Sequence, residues 1–286
     1  MRPSERLSAA FLLALAAAAA ASRPPGAALL AAAFLTLAAA VTLLSRAGDR
    51  GPAWSFARDL FPVPVVVAIF MLLQPVIEGV NPARWDATFA AFDARYLPGL
   101  VQTWRNLFGR PAPLTDAAYL AYVSYYLLPV VVAVAVRSRA REAYERTVFA
   151  IVLSFYLSFA GYFLFPTSGP RLPRELEAET LGGGPISAGV RAFLHAAEAT
   201  RLDAFPSGHT AASLVAAATA SRAFPRATPL FLAWAAAIVF ATVYIHVHYA
   251  VDILAGALLA GATLAAAPAA SRAIARIGAP ADASRR

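Results

Sequence analysis

The 286-residue sequence has no cysteine and no lysine, and only 14% of its side chains are charged. Without cysteine there is no disulfide framework, no thiolate nucleophile and no Cys-ligated zinc. Scarce charge, a 60% hydrophobic composition and a mean hydropathy of +0.62 exclude a soluble globular enzyme, because water-soluble domains carry about 25% charged and roughly 45–50% apolar residues. The formal net charge of +8 is carried entirely by arginine. Such an excess could serve nucleic acid. In an apolar chain it reads instead as Arg-rich loops of a membrane protein, so no nucleic-acid partner is expected.

What is present is a series of apolar runs. A spanning helix needs about 20 mostly apolar residues, and eight segments qualify as candidates: Leu7–Ala21, Gly26–Ser45, Phe61–Val76, Ala117–Val136, Thr147–Phe165, Gly208–Ala223, Pro229–Tyr244 and Ala250–Ala267. The expected fold is an all-α polytopic membrane protein with about eight transmembrane helices. Arg2 and Arg6 before an apolar run ending in small residues also resemble a secretory signal, but the gap Ser22-Arg23-Pro24-Pro25 favours a helical hairpin. The expected organisation is an N-terminal membrane hairpin over 1–58, a six-helix core over 59–268 and a basic tail over 269–286. Alternation of the spans puts 15 arginines and six acids on one side, and leaves the opposite loops nearly balanced. The positive-inside rule then places both termini in the cytoplasm and the long loops 77–116 and 166–207 outside.

The first outer loop carries Trp85, Phe89, Phe92, Tyr96, Leu100, Trp104 and Phe108 at spacings of three or four, interrupted by Pro98-Gly99. This predicts two short amphipathic helices, their apolar stripe lying either at the headgroup level or against the protein's own helices. The second loop, with Gly182-Gly183-Gly184-Pro185 and the acids Glu175, Glu177 and Glu179, reads as a solvated connector or a lid.

Ionisable residues at membrane-helix ends are costly without a role. Three clusters fall on the outer side: Thr167-Ser168-Gly169-Pro170-Arg171, Pro206-Ser207-Gly208-His209 and His246-Val247-His248-Tyr249-Ala250-Val251-Asp252. Such a set suits phosphoryl transfer through a phosphohistidine. His248 would be the nucleophile, Asp252 its orienting carboxylate at i, i+4 on a helix, and His209 the general acid. Arg171 offers a bidentate cation, and Ser207 with the backbone N–H groups from Gly208 onward offers a helix N-terminus to phosphate oxygens. Each element also has a plainer reading: a structural His–Asp pair, a Ser helix cap, an arginine snorkelling to headgroups. His246 and His195 are read as bystanders. A transporter would carry inverted repeats and midplane ionisable groups, and the sequence has neither pattern.

Pro206-Ser207-Gly208-His209 followed by His248-x-x-x-Asp252 resembles the second and third signature motifs of the type 2 phosphatidic acid phosphatase superfamily. The resemblance implies a six-helix core, the roles just given for His248, Asp252 and His209, and no metal or organic cofactor. Two departures stand out. The usual first motif, a lysine six residues before Arg-Pro, is absent, with Gly169-Pro170-Arg171 in its place. The usual Ser-Arg ahead of the third motif is Ala241 and Thr242. That pattern is similar to the inositol phosphorylceramide and sphingomyelin synthase branch. The expected activity is hydrolysis of a membrane lipid phosphate at the outer leaflet, the alternative being transfer of a phosphoalcohol headgroup to an alcohol. An Ala-rich composition with arginine as its only strong base is that of a GC-rich bacterial genome, hence an inner membrane.

Overall fold

A computed structural model describes residues 1–47, 51–171, 176 and 180–277, without the side chains of 101, 102 and 105. Thirteen α-helices and no strand occur among the described residues: α1 (Pro3–Ser22), α2 (Ala27–Arg46), α3 (Pro52–Asp59), α4 (Pro62–Val80), α5 (Asp86–Tyr96), α6 (Leu100–Phe108), α7 (Ala112–Val123), α8 (Leu128–Arg137), α9 (Arg141–Leu164), α10 (Pro185–Ala197), α11 (Gly208–Ala223), α12 (Thr228–Tyr244) and α13 (Ala250–Arg276). All eight predicted apolar segments are helical.

The number of spans differs from eight. Among the described residues six helical stretches are long and apolar enough to cross a membrane, and a seventh arises if α7 and α8 act as one span bent by 50°. The bend has a local cause. Pro129 lacks an N–H and its ring crowds the carbonyl four residues back, and the chain answers with a 3-10 turn at Ser124–Tyr126. The eighth segment, α11, has 16 residues, about 24 Å at 1.5 Å per residue. It is the centre of the bundle rather than a full-length span. Ala211, Ala212, Ala216, Ala217 and Ala220 are fully buried, and such small side chains let α8, α9, α12 and α13 close around it.

α1 and α2 form a hairpin that packs on the core: Phe11 stacks on Tyr156 at 4.4 Å and the Tyr156 hydroxyl donates to Ser8 Oγ at 2.8 Å. At the end that holds the N-terminus, the buried Asp59 carboxylate accepts from Arg2 (2.6 Å), Arg137 (2.6 Å) and Arg141 (2.9 Å). Beside it Glu5 takes both Nε and Nη2 of Arg58 (2.6 and 2.9 Å). Arg6 donates to the Ile274 and Ala275 carbonyls, capping the C-terminus of α13. Asp59 thus joins α1, α8 and α9. Replacing Asp59 by Ala leaves three arginines without their shared acceptor. The expected loss is about 2 kcal/mol, below the full cost of an uncompensated buried charge because their heads can reach water. It is read as a lower thermal midpoint in detergent; an unchanged midpoint refutes the clasp.

The first long loop folds as the two predicted helices, α5 and α6, and its stripe divides between the two readings. Phe89 stacks on Phe205 at 4.3 Å and Trp104 on Phe240 at 5.4 Å, whereas Phe92 and Tyr96 are exposed. The second loop is corrected: 185–197 is the helix α10, not a solvated connector. Asp116 accepts from the Gly184 and Ser187 N–H groups at 2.8 and 2.9 Å, and Val190 and Leu194 join Tyr119 and Tyr122 in a small core. Glu175, Glu177 and Glu179 lie outside the described residues, as does the tail beyond residue 277.

Candidate active site

The N-termini of α11 and α13 are locked together. Ser207 caps α11, its Oγ accepting from the Thr210 N–H (3.2 Å) and the Thr210 hydroxyl (3.1 Å), and the Ser207 N–H donates to the Asp252 carbonyl at 3.1 Å. Tyr249 is extended, so α13 starts at Ala250. His248 and Asp252 therefore do not share a helix face as their spacing suggested. Asp252, in the first turn, reaches back across the helix N-terminus, accepting from the Tyr249 N–H at 2.9 Å and lying 3.3 Å from His248 Nδ1.

These contacts assign the tautomer. The carboxylate can only accept, so His248 Nδ1 carries the proton and Nε2 presents its lone pair. Ser207 Oγ, already accepting twice, is left to donate, and it lies 3.2 Å from His248 Nε2. His209 Nδ1 lies 3.3 Å from the same nitrogen. His209 is held between the rings of Tyr122 and Tyr125 at 4.6 and 4.2 Å, and its other nitrogen, Nε2, is buried without a hydrogen-bond partner, as is Asp252 Oδ1.

Gly169, Pro170 and Arg171 arrive from the end of α9. Gly169 has φ +77°, and a Cβ there would overlap the Val247 carbonyl oxygen, so only glycine lets this loop lie against the His248 segment. Arg171 Nη2 donates to Asp203 at 2.8 Å, and Nη1 lies 3.8 Å from Glu198. Burial opposes its charge, but the two carboxylates outweigh that and hold the guanidinium above its ordinary pKa. Burial in turn pushes the Glu198 carboxyl above its ordinary value, against the pull of Arg171. Arg171 Nε and Nη1 are buried without hydrogen-bond partners. The charge of Arg171 acts on His209. Gly208 meets the Tyr162 hydroxyl, which its N–H hydrogen-bonds and which stands 2.6 Å from where a Cβ would sit.

The structure therefore brings together Ser207, Gly208, His209, His248 and Asp252, with Arg171 within electrostatic range. His195 lies apart on α10. His246, expected to face away from His248, lines a 260 Å³ cavity together with it, Asp93 and Tyr249. A larger cavity of 360 Å³ runs between α4, α8 and α9, past Val130, Phe155 and Phe159, and ends at Asp203 and His209. Sequence reasoning passed over Asp203, Glu198, Tyr122 and Tyr125. The only local signals were an acid four residues before Ser207 and a tyrosine stripe at Tyr119, Tyr122 and Tyr125. Among the described residues no three His, Asp or Glu side chains gather in a way that could hold a metal ion.

No curated protein and no solved structure matches the chain. A family profile described as the PAP2 superfamily matches residues 88–266, a stretch that contains all of the site residues above. With well over half of its length matched and several helices long and apolar enough to span a bilayer, the chain is an integral membrane protein that belongs to the type 2 phosphatidic acid phosphatase superfamily.

Proposed function

We propose that the protein is a phosphoesterase acting on a lipid phosphate through a phosphohistidine at His248. The carrying observation is that an apolar cavity long enough for acyl chains ends at His209, next to a His–Asp pair and a buried arginine whose Nε and Nη1 have no hydrogen-bond partner. His248 Nε2 attacks phosphorus, and the bond between phosphorus and the lipid oxygen breaks on the far side. His209 hands its proton to the departing lipid alkoxide, which stays in the apolar cavity. Asp252 fixes the ring and offsets the charge that grows on it. Arg171 neutralises the equatorial oxygens through Nε and Nη1, and Ser207 turns its hydroxyl from Nε2 to an oxygen. Water then attacks phosphorus in line with the P–N bond, giving its proton to His209. Phosphate leaves and His248 is restored.

A second reading has one observation in its favour. The cavity at His209 is apolar, so the position vacated by the lipid alcohol suits another lipid alcohol as the acceptor, which would take the phosphoryl or phosphoalcohol group in place of water. Ala241 and Thr242, in place of the usual Ser-Arg, fit that branch. The arginine excess at the opposite end of the bundle supports a site on the periplasmic face of an inner membrane. The test is purified protein with headgroup-labelled lipid phosphates, with and without long-chain alcohols. Label in water-soluble phosphate or phosphoalcohol alone supports hydrolysis and sinks transfer; label moved to the added alcohol supports transfer. Label remaining on every lipid sinks both.

A further inference from the structure

Two carboxylates of α5 do something that amphipathicity does not require. Asp86 and Asp93 lie two helical turns apart, on the side that Phe89 anchors against Phe205. Asp86 Oδ1 accepts from the N–H groups of Ser168 (3.1 Å) and Gly169 (3.0 Å). Asp93 accepts from those of Ala250 (2.6 Å) and Val251 (3.0 Å). The first pair belongs to the loop that delivers Arg171, the second to the first turn of α13, which delivers Asp252 and abuts His248.

The second contact matters for the chemistry. The first N–H groups of a helix have no partner within it, and a carboxylate nearby will turn to satisfy them. Asp252 is the acid in the first turn of α13 and the natural candidate for that duty. With Asp93 supplying both acceptors from another helix, the Asp252 carboxylate stays turned to His248 Nδ1 and the Tyr249 N–H. We infer that Asp93 is a positioning residue for the His248–Asp252 pair and that Asp86 plays the same part for the Arg171 loop. α5 is then a jig that sets the distance between nucleophile and phosphate cation, rather than a helix resting on the membrane surface.

This inference rests on the phosphoesterase reading, and the experiment separates the two. Steady-state kinetics are measured for the full-length protein in detergent, on a short-chain lipid phosphate, for the parent, Asp93→Ala, Asp93→Asn and Asp86→Ala, each normalised to the folded fraction from gel filtration. Misplacement of a reacting group by about 1 Å costs on the order of 10²-fold. Asp93→Ala should therefore lower kcat by about 10- to 100-fold with KM within about twofold. Asp93→Asn, which keeps one accepting oxygen, should fall between. Asp86→Ala should raise KM by about 10-fold at nearly unchanged kcat, because it loosens the phosphate cation and not the nucleophile. If Asp93→Ala does not fold, Asp93→Asn carries the test, and wild-type kcat in it overturns the inference. So does a loss in the Asp93 variants that vanishes on normalisation, or one shared equally by kcat and KM. A parent inert on every lipid phosphate overturns the phosphoesterase reading itself.

Discussion

His248→Ala is expected to lose about 10³- to 10⁴-fold or more in kcat on any lipid phosphate, with substrate still bound. The magnitude follows from what the ring supplies. Its Nε2 is the only group in the cluster with a lone pair held ready by a partner on the opposite nitrogen, since Asp252 fixes the Nδ1 proton at 3.3 Å. Ser207 is no substitute nucleophile: its hydroxyl is engaged by Thr210 and by His248 itself, and no base remains to deprotonate it once the ring is gone. His209 is clamped between two tyrosines, so it cannot swing into the missing position. The residual rate would come from Arg171 and the bound geometry alone. The measurement is product release together with acid-quenched trapping of phosphoenzyme from labelled substrate, and the variant should trap none. Trapping at the parent's level would move the nucleophile to another residue and dismantle the mechanism above.

The sequence made the pieces of this site visible and left their mounting hidden, for a physical reason. Ser207, His209, His248 and Asp252 stand in short motifs at the ends of apolar runs, where an ionisable side chain has no cheap structural excuse. Their convergence follows from counting spans between them. Asp93 carries no such signal. Within α5 it reads as a polar position on an amphipathic helix, and its partners, Ala250 and Val251, lie more than 150 residues away. Hydrogen bonds to backbone leave no trace in the partner's residue type. Arg171 was legible as a cation near the site, but its pairing with Asp203 and Glu198 was not, because the two acids sit in a loop with no periodicity to aim them. α10 was missed because its inner face needs only Val190 and Leu194 among small residues, behind three glycines that read as a break. The bend at Pro129 was spelled out in the chain and was overridden by an apolar run long enough to look like one straight span.

His209→Ala should produce a defect that depends on the leaving group, which separates an acid from a residue that merely shapes the pocket. A lipid alkoxide is a poor leaving group, and general-acid help in its departure contributes about 10²- to 10⁴-fold. A p-nitrophenolate leaves without a proton. The variant should therefore lose that factor on a lipid phosphate while forming phosphoenzyme from p-nitrophenyl phosphate at close to the parent's rate. The second half-reaction also needs His209, now as the base for water, so on the activated substrate the variant should release a burst of p-nitrophenolate and then stall with phosphate on His248. Two contacts make this variant a clean test. His209 Nε2, the nitrogen proposed to carry the transferred proton, has no hydrogen-bond partner to orphan, and the Tyr122 hydroxyl keeps its bond to Glu198 at 2.9 Å. The truncation does open a space between Tyr122 and Tyr125, so the folded fraction must be measured alongside. An equal loss on both substrates, with no burst, would assign His209 to packing and leave the departing alkoxide without an identified acid.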